Sequence, residues 1–119
     1  MNSRFGIYKA HLIGGLQELA DRQYQQDIWL NQANPNNRVG SFVEAANAVF
    51  DDALVTHALS AGSIIYDQKV TQALLELSFA VDAVEEFNEN GEFRDEEEVI
   101  NDPLMQVVRE KAARALFLI

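Results

Sequence analysis

The sequence DQKVTQALLELSFAVDAVEEF, residues 67–87, carries the strongest periodic pattern in the chain. Its apolar residues recur every three or four positions over about five turns, the spacing that places side chains on one face of an α-helix. These residues are Val70, Ala73, Leu74, Leu77, Val81, Val84 and Phe87. Asp67 is a residue type that caps helix N-termini, and Asn90-Gly91 is a typical helix stop. The segment therefore predicts one amphipathic helix that packs against other helices.

A second helix is predicted upstream, from Ser41 to Gly62. Ser41 and Glu44 have the spacing of a capping box, in which each side chain accepts a bond from the other residue's backbone N–H. Gly62 can adopt the left-handed conformation that ends many helices. The apolar face of this helix contains Phe42, Ala45, Ala46, Val49, Phe50, Ala53, Leu54 and Ala58.

A first helix is predicted over about residues 5–31, followed by a loop over residues 31–40 that is rich in Asn, Pro and Gly. Gly14-Gly15 interrupts the helical pattern, and each glycine costs about 1 kcal/mol relative to alanine in a helix interior. Three interpretations of the pair are open: a kink, a break into two helices, or a close helix–helix contact. Trp29 is expected in the core, and Tyr24 is expected nearer the surface.

The last helix is predicted to begin at Asp102-Pro103, because Asp is a good capping residue and proline is tolerated at the first helical position. An acidic helical turn is predicted before it, over residues 95–101. Arg109, Lys111 and Arg114 fall toward the C-terminal half of the last helix, where the helix dipole favours cations. The apolar residues 116–119 predict either packing on the bundle or a surface for self-association.

These helices, joined by short connections, predict an all-α fold: a compact four- to five-helix bundle that forms a single domain over residues 1–119. The length of 119 residues suits one domain, and 48% apolar residues suit a globular core. Residues 62–66 are the only segment in which a strand could be conceded, and a strand is not favoured there.

The composition argues against several functions. The chain has no cysteine, so it cannot form a disulfide, a thiolate nucleophile or an iron–sulfur cluster. Its net charge of −10 argues against binding to the phosphates of nucleic acids. No signal-peptide pattern or membrane span is evident. We therefore expect a cytoplasmic protein that uses no cofactor, nucleic acid or membrane.

One stretch, residues 82–102, holds ten carboxylates against one base, Arg94, and thus accounts for nine of the ten net negative charges. We call it the acidic segment. Some of its acids lie near the predicted C-terminal end of the helix at residues 67–87, where negative charge is unfavourable, so local structure does not explain them. Long-range attraction of a basic protein partner would explain them. The candidate partner-binding residues are Glu85, Glu86, Glu89, Glu92, Glu96, Glu97 and Glu98.

A calcium site is the second hypothesis for this segment. Residues 86–97 resemble a degenerate calcium loop of the helix–loop–helix calcium proteins, with Gly91 at the glycine position. The loop departs from the pattern because its first ligand is Glu, two ligands are neutral amides, and no second loop exists for pairing. The candidate metal ligands are Glu86, Asn88, Asn90, Glu92 and Glu97.

A small enzyme with a site between helices is the third hypothesis. The two histidines, His11 and His57, each lie in a predicted helix with no second His or Cys at ligand spacing. A pocket that contains His57 and a carboxylate would support this hypothesis. The chain contains no Gly-x-Ser-x-Gly turn and no phosphate-binding loop. The favoured prediction is a protein-binding function, by analogy with small acidic inhibitors or immunity proteins that cover basic enzymes.

Overall fold

The computed structural model describes residues 9–30, 41–85, 87–92 and 94–119. The predicted loop at 31–40 and the first residues of the predicted first helix lie outside these ranges. The described part contains seven α-helices: α1 (Lys9–Ala20), α2 (Arg22–Tyr24), α3 (Phe42–Asn47), α4 (Val55–Ser60), α5 (Gln68–Ala83), α6 (Glu96–Asn101) and α7 (Pro103–Leu118). Helices α2 and α3 continue as π-helical segments, Gln25–Leu30 and Ala48–Asp52 respectively.

The predicted all-α class is confirmed. The long helices α5 and α7 pack against each other, and α1 packs on α7 and on the π-helical segment after α3. Leu12, Leu16, Leu74, Leu77 and Val108 are completely buried between them. The radius of gyration is 14.3 Å, close to the value of about 13.5 Å expected for a compact chain of this length. The helices therefore enclose one continuous apolar core.

The first helix is not continuous to residue 31 as predicted, and the break does not fall at the glycine pair. Helix α1 ends at Ala20, and the carboxylate of Asp21 accepts a bond from the backbone N–H of Tyr24 at 3.0 Å to begin α2. Gly15 is buried inside α1, and a Cβ atom there would lie 2.6 Å from Cγ2 of Val49. Of the three interpretations, the close helix–helix contact is correct for Gly15.

The second predicted helix divides at Leu54, which has a positive φ of 63°. This left-handed residue redirects the chain so that α4 buries Val55 and Ala58. The predicted ends of this region are confirmed. The Ser41 hydroxyl accepts a bond from the backbone N–H of Glu44 at 3.1 Å. Gly62 has a φ of +71° and ends α4, with its own N–H and that of the next residue returning to helical carbonyls.

The two long helices begin as predicted. The carboxylate of Asp67 accepts a bond from the N–H of Val70 at 2.9 Å, and the carboxylate of Asp102 caps α7 at Leu104 at 2.9 Å. Helix α5 ends at Ala83, earlier than its apolar pattern predicts, because the backbone is extended at Val84. Phe87 is therefore released from the helix face and is 49% exposed.

A buried arginine joins three parts of the fold. Arg109 lies in the middle of α7 and is only 5% exposed, so burial and hydrogen bonds, and not the helix dipole, determine its surroundings. Its guanidinium donates to Gln25 Oε1 at 2.7 Å, to the carbonyl oxygen of Ile100 at 3.2 Å and to Gln106 Oε1 at 3.1 Å. The amide of Gln25 donates in turn to the carbonyl oxygens of residues 18 and 19 at the end of α1. The network holds α6 against α7 and against the π-helical segment that follows α2.

Burial of this guanidinium lowers the pKa of Arg109, and the charge of nearby Arg22 acts in the same direction. Arginine nevertheless keeps its charge in proteins. Among the described residues Arg109 forms no ion pair, so its charge is stabilised by neutral oxygen acceptors alone. A buried charge of this kind depends on every one of its bonds.

Candidate functional site

The acidic segment runs from the last turn of α5, through the connection that follows it, across α6 to the cap of α7. Most of its described carboxylates are exposed, which agrees with the high cost of burying an unpaired charge. The exposed carboxylates are Asp82, Glu85, Glu89, Glu92, Asp95, Glu97 and Glu98. None of these seven lies within ion-pair distance of a basic group in the described part of the chain. The structure does not describe the side chain of Glu86.

One carboxylate of the segment is neutralised. Arg94 Nη1 lies 3.1 Å from Asp102 Oδ2 and also donates to the carbonyl oxygen of Glu85 at 3.0 Å. The other carboxylate oxygen of Asp102 caps α7. Arg94 therefore ties the end of α5 to the start of α7, and the single base of the segment is used for structure.

Glu96 differs from the other candidate partner-binding residues that the structure describes, because it is half-buried. Burial raises the pKa of the Glu96 carboxyl, a bond accepted from the backbone N–H of Phe42 lowers it, and the charge of Glu44 raises it; the net direction is upward. Its Oε2 atom is buried with no hydrogen-bond partner among the described residues. Glu96 thus points at the start of α3, where the helix dipole favours a negative charge.

The connection between α5 and α6 contains a tight turn. The side-chain oxygen Oδ1 of Asn88 accepts bonds from the backbone N–H groups of Asn90 at 2.8 Å and Glu92 at 3.1 Å. The N–H of Asn88 donates to the carbonyl oxygen of Glu92 at 2.8 Å, and Gly91 has a φ of +78°. These bonds close the turn upon itself.

This geometry bears on the predicted calcium ligands. Oδ1 of Asn88 is used by the turn, so it could bind calcium only if two backbone bonds were given up. Of the other predicted ligands, the structure describes Asn90, Glu92 and Glu97, which are exposed. It does not describe the side chain of Glu86. Within the described ranges, no three His, Asp or Glu side chains form a group that could hold a metal ion. The calcium loop stays a prediction.

A groove of about 980 Å³ adjoins the acidic segment. It lies between α3 with its π-helical extension, α4, and the second half of α5 with the residues that follow. Among its described lining residues, the apolar ones are Phe42, Val43, Ala46, Phe50, Leu59, Leu75, Val81, Val84 and Phe87. Its charged lining residues are Asp51, Asp82, Glu85 and Glu89, and the described lining contains no Lys or Arg.

The groove does not have the composition that the enzyme hypothesis requires. His57 lies in α4, whose residues Thr56, Leu59 and Ser60 line the groove, but the His57 side chain is exposed and is absent from the described lining. His11 is likewise absent from it. A carboxylate and a histidine therefore do not converge in this concavity.

The groove was not anticipated from the sequence. The periodicity places its phenylalanines on the apolar faces of two predicted helices, but periodicity does not show what covers such a face. The groove is lined by residues that follow the early end of α5 at Ala83 and by α4, which follows the break at Leu54. Neither the end nor the break is signalled by a glycine or proline.

Comparisons of the chain with protein-family models, curated proteins and solved structures find no match. In the ranges that the structure describes, no helix combines the length and apolar character needed to cross a membrane.

Proposed function

We propose that this chain is a binding protein that associates with a basic protein partner through its acidic segment. The observation that carries the proposal is the set of seven exposed carboxylates that form no ion pair within the described structure. A negative charge that the protein leaves uncompensated attracts a positively charged surface over distances of about a Debye length, ~10 Å at 0.1 M salt.

The partner's expected chemistry follows from this potential. A surface rich in Lys and Arg would be steered to the segment, and its association rate would fall as salt is added. Covering the basic surface of a nuclease or toxin is one outcome of such binding, so an inhibitor- or immunity-like role forms part of the proposal. The absence of cysteine suits the reducing cytoplasm, where we place this association.

The proposal is preferred to calcium binding because Oδ1 of Asn88, a predicted calcium ligand, already accepts two backbone hydrogen bonds within the turn. It is preferred to catalysis because the described lining of the groove brings no histidine to a carboxylate. Neither alternative has a specific geometric observation in its favour.

Affinity capture with the immobilised full chain, followed by calorimetry on the captured protein, tests the proposal. We expect the dissociation constant to weaken at least about tenfold between ~50 and ~300 mM salt, because screening shortens the attraction. Two double variants with equal net charge separate position from total charge: E92Q/E97Q within the segment, and D52N/E110Q outside it. The first should weaken binding and the second should not. Salt-independent binding, or equal losses in both variants, would contradict the proposal.

A further inference from the structure

The groove and the acidic segment form one continuous surface. Asp82, Glu85 and Glu89 belong to both, since they lie within residues 82–102 and also line the groove. Asp51, on the π-helical extension of α3, adds a fourth carboxylate to the lining. All four side chains are exposed, and each is free of ion pairs within the described residues. An apolar surface is thus bordered by charge of a single sign.

The apolar lining includes three aromatic rings. Phe42, the first residue of α3, is buried, and Phe50 is partly buried. Phe87 follows the end of α5 and is 49% exposed. Aromatic side chains are enriched at the centres of protein interfaces, where they fill pockets and exclude water.

The groove is large enough for several side chains at once. Its volume of about 980 Å³ is at the upper end of the range of roughly 300–1,000 Å³ for small-molecule pockets. A peptide helix enters such a groove through apolar side chains at positions i, i+3 or i+4, and i+7. The residues that flank those positions then meet the edges of the groove, where carboxylates select for Lys and Arg.

We infer that the groove receives an amphipathic basic helix: an apolar face seated against Phe42, Phe50 and Phe87, and flanking cations paired with Asp82, Glu85 and Glu89. This inference rests on the proposed function, because it names the part of the basic partner that is recognised. It adds that binding has an apolar component that salt does not screen.

A labelled synthetic peptide of about 18 residues, with leucines on one helical face and lysines on the other, provides the probe. Its anisotropy is measured against the full chain, beside a scrambled peptide of the same composition that has no apolar face. We expect the amphipathic peptide to bind at least about tenfold more tightly than the scrambled one, because both carry the same charge.

Two phenylalanine variants locate the site. Phe87→Gln removes an exposed wall of the groove, and Phe79→Gln is the matched control, because Phe79 is a 65% exposed phenylalanine of α5 that is absent from the described lining. Phe87→Gln should weaken binding about tenfold, as expected for a hot-spot side chain, and Phe79→Gln should leave it within about twofold. Circular dichroism and Trp29 fluorescence establish that both variants are folded.

The outcomes distinguish this inference from the proposed function. If Phe87→Gln binds the amphipathic peptide normally while E92Q/E97Q binds it weakly, the groove inference falls and the acidic-surface proposal stands. If neither variant affects binding, both fall. Equal affinity for the scrambled peptide would overturn the groove inference. Sedimentation of a dimer that Phe87→Gln converts to a monomer would also overturn it, because the occupant would then be a second copy.

Discussion

The glycine pair in α1 provides a sharp test of the packing, because its two members have opposite surroundings. An added Cβ at Gly14 would meet no atom within 4 Å. An added Cβ at Gly15 would lie 2.6 Å from Val49 Cγ2, 3.1 Å from the carbonyl oxygen of Ala45 and 3.2 Å from the Cβ of Ala48. We therefore predict that Gly14→Ala stabilises the protein and that Gly15→Ala destabilises it.

The magnitudes follow from two effects. Replacing glycine by alanine inside a helix stabilises it by about 0.8–1 kcal/mol at either position. At position 15 alone, the methyl group must displace a valine side chain and a backbone carbonyl, and overpacking of this kind costs about 1–3 kcal/mol. The propensity effect cancels between the two variants. The free energy of unfolding should thus be about 1–3 kcal/mol lower for Gly15→Ala than for Gly14→Ala.

Urea denaturation followed by tryptophan fluorescence measures this difference, because Trp29 is the only tryptophan and is 2% exposed in the folded protein. In a Val49→Ala background, the penalty at position 15 should shrink without vanishing, because the closest atom is removed and the Ala45 carbonyl stays. If Gly15→Ala is as stable as Gly14→Ala in the parent chain, the close approach of α1 to the segment after α3 is wrong.

Three further outcomes are expected. Arg109→Met leaves Gln25 Oε1 without its donor and should lower the free energy of unfolding by about 1–3 kcal/mol. The double variant with Gln25→Leu should lose less stability than the sum of the two single losses. Additive losses in denaturant titrations would contradict the network. The folded-state pKa of Glu96 is raised above its ordinary value of 4.5, so the folded protein favours the protonated carboxyl. The free energy of unfolding of the parent chain, relative to that of Glu96→Gln, should therefore fall as pH rises from about 4.5 through the raised pKa. A difference that does not change with pH would contradict the burial of Glu96. Millimolar calcium should leave the melting temperature unchanged, because Asn88 Oδ1 already accepts backbone hydrogen bonds in the turn. A rise of several degrees would favour the calcium hypothesis.

The parts of the fold that sequence predicts well are those set within a few residues. Ser41, Asp67 and Asp102 each cap a neighbouring backbone N–H two or three residues ahead, and all three helix starts are as predicted. The position of Gly62 at a helix end is equally local, because its positive φ is a property of one residue. The predicted helical class rests on the same short-range periodicity.

The breaks inside the predicted helices are harder to foresee. Leu54 adopts a positive φ that a leucine normally avoids, because the turn it makes buries Val55 and Ala58 against the rest of the core. Helix α5 ends at Ala83 although its apolar pattern continues to Phe87. In both places packing with distant residues decides the backbone, and a window of neighbouring residues does not contain that information.

For the candidate site the division is similar. The amino-acid sequence by itself determined the helical class, the main capped starts and the concentration of charge in residues 82–102, because these depend on residue type and short spacing. Only the tertiary structure decided that Gly15 lies in a close contact with a neighbouring helix, that Arg109 is buried with neutral hydrogen-bond acceptors, and that an apolar groove adjoins the carboxylates. Each of these depends on residues brought together from several helices that are distant in sequence, and their relative positions are fixed only when the apolar faces are buried together.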